Sequence, residues 1–126
     1  TSVSRGLGDV YKRQIISSIA AIKGSPILGA YNISKAADVM IVKNIAAEFG
    51  HKNIRANSIA PGLIKTDFAK ALWENPDILN SVLSSTPMRR IGEPDEIAGV
   101  AIMLASDAGN YINGQTIVVD GGTTIS

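Results

Sequence analysis

Residues 30–62 read AYNISKAADVMIVKNIAAEFGHKNIRANSIAPG, and this stretch decides the fold class. Over residues 30–49 the apolar side chains recur at intervals of three and four, which predicts an amphipathic helix ended by Gly50. Residues 53–60 then predict a buried strand, which Pro61-Gly62 closes because proline cannot donate to a hydrogen-bonded ladder. A helix that leads directly into a strand is typical of α/β proteins.

The flanking segments continue this alternation. Residues 14–18 (QIISS) predict a short buried strand that stops at two hydroxyl side chains, and residues 115–120 (QTIVVD) predict a terminal strand rich in β-branched residues. Three helix starts, each with a capping oxygen or a proline, are predicted at Thr66-Asp67, at Asn75-Pro76 (to residue 85) and at Glu93-Pro94 (to residue 105). Together these elements predict a three-stranded parallel sheet with right-handed crossovers and strands that are apolar on both faces.

The expected functional edge of this sheet is the one at which its parallel strands end. Ligands of open α/β sheets bind beyond the carboxyl ends of the strands. We therefore expect Ser17-Ser18, Pro61-Gly62 and Asp120-Gly121 to lie along one edge, where a site for chemistry would form.

The composition excludes several classes of function. With 126 residues, 45% of them hydrophobic and 18% charged, the chain has room for one globular domain. A net charge of +1 offers no basic field for nucleic acid or for an anionic membrane surface. The absence of cysteine and the single histidine, His51, leave too few ligands for a metal site, so no metal is expected. No apolar run has the pattern of a signal peptide or a membrane span, which predicts a cytoplasmic protein.

Tyr31, Lys35 and Ser18 are the candidate catalytic residues. Tyr31 and Lys35 are four residues apart at the start of the predicted helix, so both side chains project from one face. A lysine one helical turn away favours the deprotonated form of a phenol, which makes the tyrosine a usable proton donor and acceptor. The hydroxyl of Ser18, at a strand end, would stabilise a substrate oxygen that gains negative charge. This chemistry fits the reduction of a ketone or the oxidation of an alcohol.

Four motifs resemble the short-chain dehydrogenase/reductase family, and the resemblance covers residues 15–122. They are ISS at 16–18, YNISK at 31–35, NSIAPGLIKT at 57–66 and the closing YINGQTIVVDGG at 111–122. The resemblance implies that Tyr31 is the general acid/base, that Lys35 stabilises it and holds the nicotinamide ribose, and that Ser18 orients the carbonyl. It also implies a cofactor contact at four residues of the Pro-Gly loop: Pro61, Gly62, Ile64 and Thr66.

The same resemblance implies the cofactor, the partners and the extent of the domain. The cofactor would be NAD or NADP, the substrate a small carbonyl compound or alcohol, and the full-length form a homo-oligomer, either a dimer or a tetramer. Members of the family are about twice as long, and their N-terminal half carries a glycine-rich cofactor motif. Gly6-Leu7-Gly8 does not supply that motif, because Tyr11 stands where its third glycine would fall.

The matched motifs and the usual length of family members together predict the domain organisation. Residues 15–126 are expected to form the C-terminal part of a single NAD(P)-binding domain, a partial Rossmann-like, doubly wound parallel sheet. Residues 1–14 are expected to be an irregular leader that does not belong to the family. The chain by itself is expected to be inactive.

Alternative functions stay open at this point. A nucleotide-sugar epimerase or dehydratase shares Tyr-x-x-x-Lys but carries a long C-terminal substrate domain, and a noncatalytic fragment would serve only for assembly. The Tyr-to-Lys spacing of four, shorter than in enoyl-reducing relatives, favours carbonyl chemistry. A Ser-His-acid hydrolase is disfavoured because no G-x-S-x-G motif occurs. Phe68 and Trp73 are expected in the core, with the wall of a substrate pocket as the alternative. Arg89-Arg90 are expected on the surface, with pairing to carboxylates at an interface as the alternative.

Overall fold

The computed structural model describes residues 11–126 and contains a three-stranded parallel sheet with the strand order β1-β2-β3. The strands are β1 (Tyr11–Ile16), β2 (Ile54–Pro61) and β3 (Thr116–Val119). The α-helices are α1 (Gly29–Phe49), α2 (Lys70–Trp73), α3 (Pro76–Ser85) and α4 (Pro94–Ala105). Short 3-10 helices occupy Ile19–Ala21, Gly50–Lys52 and Asp107–Gly109. The predicted α/β class and the parallel sheet are confirmed.

The first strand begins earlier and ends earlier than the sequence predicts. It pairs with β2 from Tyr11 opposite Ile54 to Ile16 opposite Ile59, so the expectation of irregular structure is wrong for residues 11–14. The polar residues of this segment are accommodated because α4 offers them backbone acceptors; the Gln14 amide donates to the carbonyl of Ala101 at 2.8 Å. Residues 1–10, with the Gly-Leu-Gly tripeptide, lie outside the described residues.

Helices cover the two faces of the sheet. The ammonium of Lys12, the amide of Gln14 and the guanidinium of Arg55 all donate to carbonyls of α4. The Ser17 hydroxyl, which follows β1 at an odd position, instead donates to the carbonyl of Lys35 in α1. Because successive side chains of a strand point to opposite faces, α4 covers one face and α1 the other. This is the layering of a doubly wound sheet.

The central strand is buried but not apolar. Ala56, Ile59 and Ala60 belong to the core, as expected, yet Arg55, Asn57 and Ser58 are also less than about a tenth exposed. Each of these polar side chains has a partner: Asn57 donates to Ile112 O at 2.9 Å, and Ser58 shares a hydrogen bond with Thr116 at 2.7 Å. The expectation of strands that are apolar on both faces is therefore wrong for β2, because burial is tolerated where polar groups are hydrogen-bonded.

Residues at the element ends confirm most of the predicted helix boundaries. The Asn75 side chain accepts hydrogen bonds from the amides of Asp77 and Ile78, and Glu93 opens α4 in a reciprocal capping box. Helix α1 ends before Gly50, but Gly50 keeps right-handed backbone angles, and the left-handed residue that turns the chain is Asn53, with φ 59°. Within residues 11–126, no helix has the length and apolar character needed to cross a bilayer.

Candidate active site

The ends of the three strands meet at one edge, as the parallel topology predicts. The amide of Ser17 donates to Ile59 O at 2.8 Å, and the amide of Gly62 donates to Val119 O at 2.9 Å. A Cβ on Gly62 would lie 2.9 Å from the Cα of Asp120, so only glycine fits between these two strand ends. The structure therefore brings Ser17-Ser18, Pro61-Gly62 and Asp120 to the same edge of the sheet.

Tyr31 and Lys35 lie on one face of the first turns of α1. The Nζ atom of Lys35 is 5.6 Å from the centroid of the Tyr31 ring, within the range of a cation–π contact. Tyr31 is 39% exposed, so its ring is open to a ligand. The Lys35 ammonium also lies 3.6 Å from the Asp38 carboxylate. Asp38 is a neighbour that the sequence interpretation missed, although its position three residues after Lys35 was the available signal.

Ser17 joins the end of β1 to the turn of α1 that carries Lys35. Its side chain is buried, and its Oγ donates to the carbonyl of Lys35 at 2.9 Å. This bond connects residues 18 positions apart in sequence and fixes the strand end against the helix. The sequence predicts the position of Ser17 at the end of a strand but not this bond, because nothing local identifies its acceptor. The bond thus connects the strand end that carries Ser18 with the helix that carries Tyr31 and Lys35.

Ser18 is the first residue beyond this contact, and among residues 11–126 its hydroxyl has no acceptor for its own proton. The backbone of Ser18 is extended, with φ −162° and ψ 158°, and its Oγ accepts a hydrogen bond from the amide of Ala20 at 3.1 Å. A hydroxyl that accepts one hydrogen bond still has its own proton available for another acceptor. Ser18 therefore has the chemistry of a donor to a substrate oxygen.

Hydrogen bonds to a neighbouring segment fix the loop that follows β2. Ile64 forms a parallel bridge with Gly92, and the amides of Lys65 and Gly92 donate to Gly92 O and Leu63 O at 2.9 and 3.0 Å. The Thr66 Oγ accepts from the amide of Ala69 at 3.2 Å, one turn before α2. Thr66 is thus the predicted cap, but the helix itself begins later, at Lys70.

Some of the residues at this edge of the sheet offer hydrogen-bond donors that suit a nucleotide cofactor. The Lys35 ammonium and the hydroxyl of Thr66 are groups that donate to ribose and phosphate oxygens. Gly62, in contrast, already uses its amide in the bond to Val119, so it offers a close backbone approach rather than a donor. Pro61 and Ile64 offer apolar surface. Among the residues that the structure describes, no cluster of three metal-ligating side chains occurs.

Two aromatic side chains between β2 and α3 are less buried than the sequence predicts. Phe68 is 94% exposed, so the expectation that it belongs to the core is wrong, because the turn before α2 directs it outward. Trp73 is half-buried; its indole N–H donates to Thr66 O at 2.8 Å, and the Lys65 ammonium lies 5.5 Å from its ring. Trp73 therefore holds the loop that carries Thr66.

Asp120 is held as a carboxylate at the end of β3. Burial acts to raise its pKa, but hydrogen bonds from Thr124 and from the amide of Gly122 outweigh burial, and the pKa lies below its usual value. The backbone amides of Gly122 and Thr124 donate hydrogen bonds to the Asp120 carboxylate at 2.9 and 2.8 Å. A cavity of about 140 Å³ lies beside this turn and is bounded by Ile64, Met88 and Asp120. Asp120 thus organises the C-terminal turn next to the Pro-Gly loop.

Comparison with known proteins agrees with this fold. Residues 14–124 match the sequence model of a family described as Enoyl-(Acyl carrier protein) reductase. The chain is 44% identical over 119 residues to "Dehydrogenase/reductase SDR family member 4" of Bos taurus, covering 94% of the chain and 42% of that relative. It is 47% identical over 107 residues to the "3-oxoacyl-[acyl-carrier-protein] reductase FabG" of Chlamydia trachomatis, covering 85% of the chain and 42% of that protein.

Solved structures give the same result at the level of the fold. A short-chain type dehydrogenase/reductase from Mycobacterium ulcerans superposes with a TM-score of 0.90 at 38% identity, over 93% of this chain and 42% of that one. A gluconate 5-dehydrogenase from Burkholderia cenocepacia, in complex with NADP and tartrate, superposes with a TM-score of 0.90 at 35% identity. The match covers 94% of this chain and 46% of that one. The fold is therefore a partial Rossmann fold.

The chain belongs to the short-chain dehydrogenase/reductase family. It spans less than half the length of the curated relatives it matches.

Proposed function

We propose that this chain carries the catalytic residues of an NAD(P)-dependent oxidoreductase that interconverts a carbonyl compound and a secondary alcohol. Residues 15–126 would form the C-terminal part of its single NAD(P)-binding domain. The observation that carries the proposal is the Ser17–Lys35 bond, which joins the Ser-Ser strand end to the helical turn bearing Lys35. That bond supports the proposal because it joins the strand end that carries Ser18 to the helix that carries Tyr31 and Lys35, at the edge where ligands of such sheets bind.

Each of the three residues has a distinct role in the proposed reaction. In the direction of reduction, Ser18 donates a hydrogen bond to the carbonyl oxygen as negative charge develops on it. Tyr31 gives its hydroxyl proton to that oxygen, and the product is an alcohol. Lys35 stabilises the phenolate that remains and donates to the ribose of the cofactor. When bound, the nicotinamide supplies or receives the hydride.

The comparisons support a nicotinamide dinucleotide as the cofactor and do not distinguish NAD from NADP. A 4-hydroxyisoleucine dehydrogenase that superposes with a TM-score of 0.89 is complexed with NADH and succinate, whereas the gluconate 5-dehydrogenase holds NADP. Thr66 and Lys35 would contact the nicotinamide side of either cofactor, and Pro61, Gly62 and Ile64 would border its ring. We also propose, from the family resemblance, a cytoplasmic location and a dimer or tetramer of the full-length form.

The spacing of the tyrosine and the lysine favours a carbonyl as the substrate group. The matched family description refers to enoyl reduction, but one of the matched relatives is a 3-oxoacyl reductase. Because Lys35 lies four positions after Tyr31, the phenol and the ammonium share one turn of α1, with the ammonium 5.6 Å from the centroid of the tyrosine ring. A C=O substrate needs such a proton donor at the oxygen that accepts charge.

The proposal is tested by substitution of Tyr31 in a protein completed with an N-terminal half from a relative. Tyr31→Phe keeps the ring but removes the proton, so we expect kcat for a ketone substrate to fall by about 10²- to 10⁴-fold. The measurement is the loss of NAD(P)H absorbance at 340 nm. Tyr111→Phe is the matched control, because Tyr111 is fully exposed and has no role in the proposed reaction. Equal activity in the Tyr31 variant and the control would refute the assignment.

A further inference from the structure

Two side-chain hydrogen bonds join the chain around the end of β1 to the first turns of α1. The Ser17 Oγ donates to the carbonyl of Lys35 at 2.9 Å. The Asn32 Nδ2 donates to the carbonyl of Lys23, also at 2.9 Å. The first bond runs from the strand end to the helix, and the second runs from the helix to the segment that follows the strand. The two segments are therefore cross-linked at two places.

Each donor is the sequence neighbour of a candidate catalytic residue. Ser17 directly precedes Ser18. Asn32 directly follows Tyr31, in the first turn of α1. Because neighbouring Cα atoms are only about 3.8 Å apart, a bond made by one residue limits the backbone position of the next. The two bonds therefore restrain the residues that carry the hydroxyl and the phenol.

The turn between Ser18 and Lys23 is itself hydrogen-bonded. The amide of Ala21 donates to Ser18 O at 2.9 Å. The amides of Ile22 and Lys23 both donate to the carbonyl of Ile19, at 3.0 Å each. These bonds hold the short 3-10 helix that follows the strand. The backbone is therefore fixed from Ser18 as far as the carbonyl that the asparagine binds.

These contacts close a ring made of chain and hydrogen bonds. The ring runs from the strand end through the turn to Lys23, across the Asn32 bond to α1, and back to the strand through the Ser17 bond. The donors and acceptors that close it are 9 and 18 positions apart in sequence. All three candidate catalytic residues, Ser18, Tyr31 and Lys35, belong to this ring.

The Asn32 amide is not the side chain that stability alone favours at this position. Its Oδ1 is buried and has no donor among residues 11–126. A buried acceptor without a partner costs free energy that an apolar side chain of similar size would not cost. Such local rules are broken mainly at functional sites. The unpaired oxygen therefore points to a role for the Nδ2 donor beyond packing.

We propose that Asn32 and Ser17 are positioning residues that hold the Ser18 hydroxyl and the Tyr31 phenol in register for proton transfer. This inference rests on the proposed function. Neither donor takes part in the reaction, since each gives its hydrogen bond to a backbone carbonyl. Their effect is on geometry, because a displacement of reacting groups by about 1 Å lowers a rate as much as 10²-fold.

Hydrogen exchange of the chain tests the ring without any turnover. Asn32→Leu removes the donor and the unpaired acceptor at similar volume. Exchange at the amides of Ile22 and Lys23 should become about tenfold faster, because the turn opens more often. The amide of Ser58, which bonds to β3, should not change. The urea midpoint should stay the same or rise, because no unpaired oxygen remains.

Kinetics separate positioning from stability, in the protein used for the Tyr31→Phe test. Asn32→Leu should lower kcat about tenfold and change KM for the cofactor less than about threefold. The solvent deuterium isotope effect on kcat should increase, because proton transfer becomes slower relative to the other steps. Asn44→Leu is the matched control at an exposed position of the same helix, and it should leave kcat and the exchange rates unchanged.

A double-mutant cycle tests whether the two bonds belong to one ring. Ser17→Ala removes the other closing bond and should also lower kcat about tenfold. Since opening the ring at one place already frees the turn, the combined Ser17→Ala and Asn32→Leu variant should lose less than about threefold more. Two fully multiplicative losses would show independent contacts and would contradict the ring.

Two further results would overturn the proposal: unchanged exchange at Ile22 and Lys23 in the Asn32→Leu chain, or the kcat of the control in a folded Asn32→Leu protein. Failure of the proposed function gives a different pattern. There Tyr31→Phe would keep full turnover, whatever the exchange rates show. If Tyr31→Phe loses turnover while Asn32→Leu keeps it, only the positioning role is wrong.

Discussion

At the residue scale, one half-buried and one buried cation show how polar side chains stabilise this sheet. Lys12 and Arg55 are register partners on β1 and β2, and both donate to carbonyls in the last turn of α4. A positive charge is favourable at a helix C-terminus, where the carbonyls lack partners within the helix. Burial lowers the pKa of Arg55, but arginine remains protonated at any ordinary pH. Lys12 and Arg55 therefore provide hydrogen-bond donors to the C-terminal carbonyls of α4, as a capping residue would.

Replacing Arg55 should destabilise the fold. Arg55→Met keeps most of the apolar stem but removes the donors to Leu104 O at 2.7 Å and Ile112 O at 3.1 Å. Loss of hydrogen bonds from a charged donor predicts a decrease of about 2–4 kcal/mol in the free energy of unfolding. Urea denaturation followed by Trp73 fluorescence measures it. Arg13→Met, at an exposed position of β1, should change stability by less than about 0.5 kcal/mol.

The Arg90–Glu96 pair predicts a pH dependence of stability. Hydrogen bonds from Arg90 and from the Glu93 amide lower the pKa of Glu96 from 4.5 to about 2. A carboxyl whose folded-state pKa is depressed stabilises the fold above pH 4.5, and this contribution is lost as the pH falls toward 2. Glu96→Gln should therefore lower the urea midpoint at pH 7, with the difference from the unchanged chain vanishing near pH 2. A difference that grows on acidification would contradict this assignment.

The exposure of that pair also settles the expectation for Arg90. Its side chain is 48% exposed and binds Glu96 through two hydrogen bonds of 2.6 and 2.8 Å. The predicted surface position is confirmed. Because the ions are exposed to water, the contribution of the pair is that of a well-aligned surface salt bridge rather than of a buried one.

At the element scale, two of the three helix starts with a chemical signal form where the sequence predicts them. Helix α3 begins after Asn75 and α4 after Glu93, because the capping oxygen and the following proline act within one turn. The start of β1 had no such signal, since its polar residues become strand only by pairing with β2. Local chemistry thus predicts helix ends better than it predicts strand ends.

Removing the cap of α3 tests this local contribution. In the Asn75→Ala variant the amides of Asp77 and Ile78 lose the acceptor that now lies 3.0 and 3.3 Å away. We expect the free energy of unfolding to fall by about 1 kcal/mol, measured by urea denaturation. Asn44→Ala provides the comparison at an exposed position inside α1, where alanine should be neutral or slightly stabilising. A larger loss at Asn44 than at Asn75 would contradict the capping role.

At the scale of the whole molecule, the cofactor would contact this chain mainly through its nicotinamide side. The sequence contains no glycine-rich strand–turn–helix motif to receive a pyrophosphate. We therefore expect residues 1–126 alone to show no NAD(P)H-dependent turnover, while the version completed with an N-terminal half is active. Energy transfer from Trp73, the single tryptophan, to bound NADH reports binding directly. A dissociation constant in the micromolar range for the chain alone would contradict the expectation.

The sequence by itself determined the order of strands and helices, the caps of α3 and α4, and the shared face of Tyr31 and Lys35. These features depend on residues within one or two helical turns of each other, so their physical causes are local. Only the tertiary structure decided that Ser17 binds the Lys35 carbonyl, that Gly62 packs on Asp120, and that polar side chains fill β2. Those contacts join groups distant in the chain, and a side chain's burial or partner is fixed only when the elements pack.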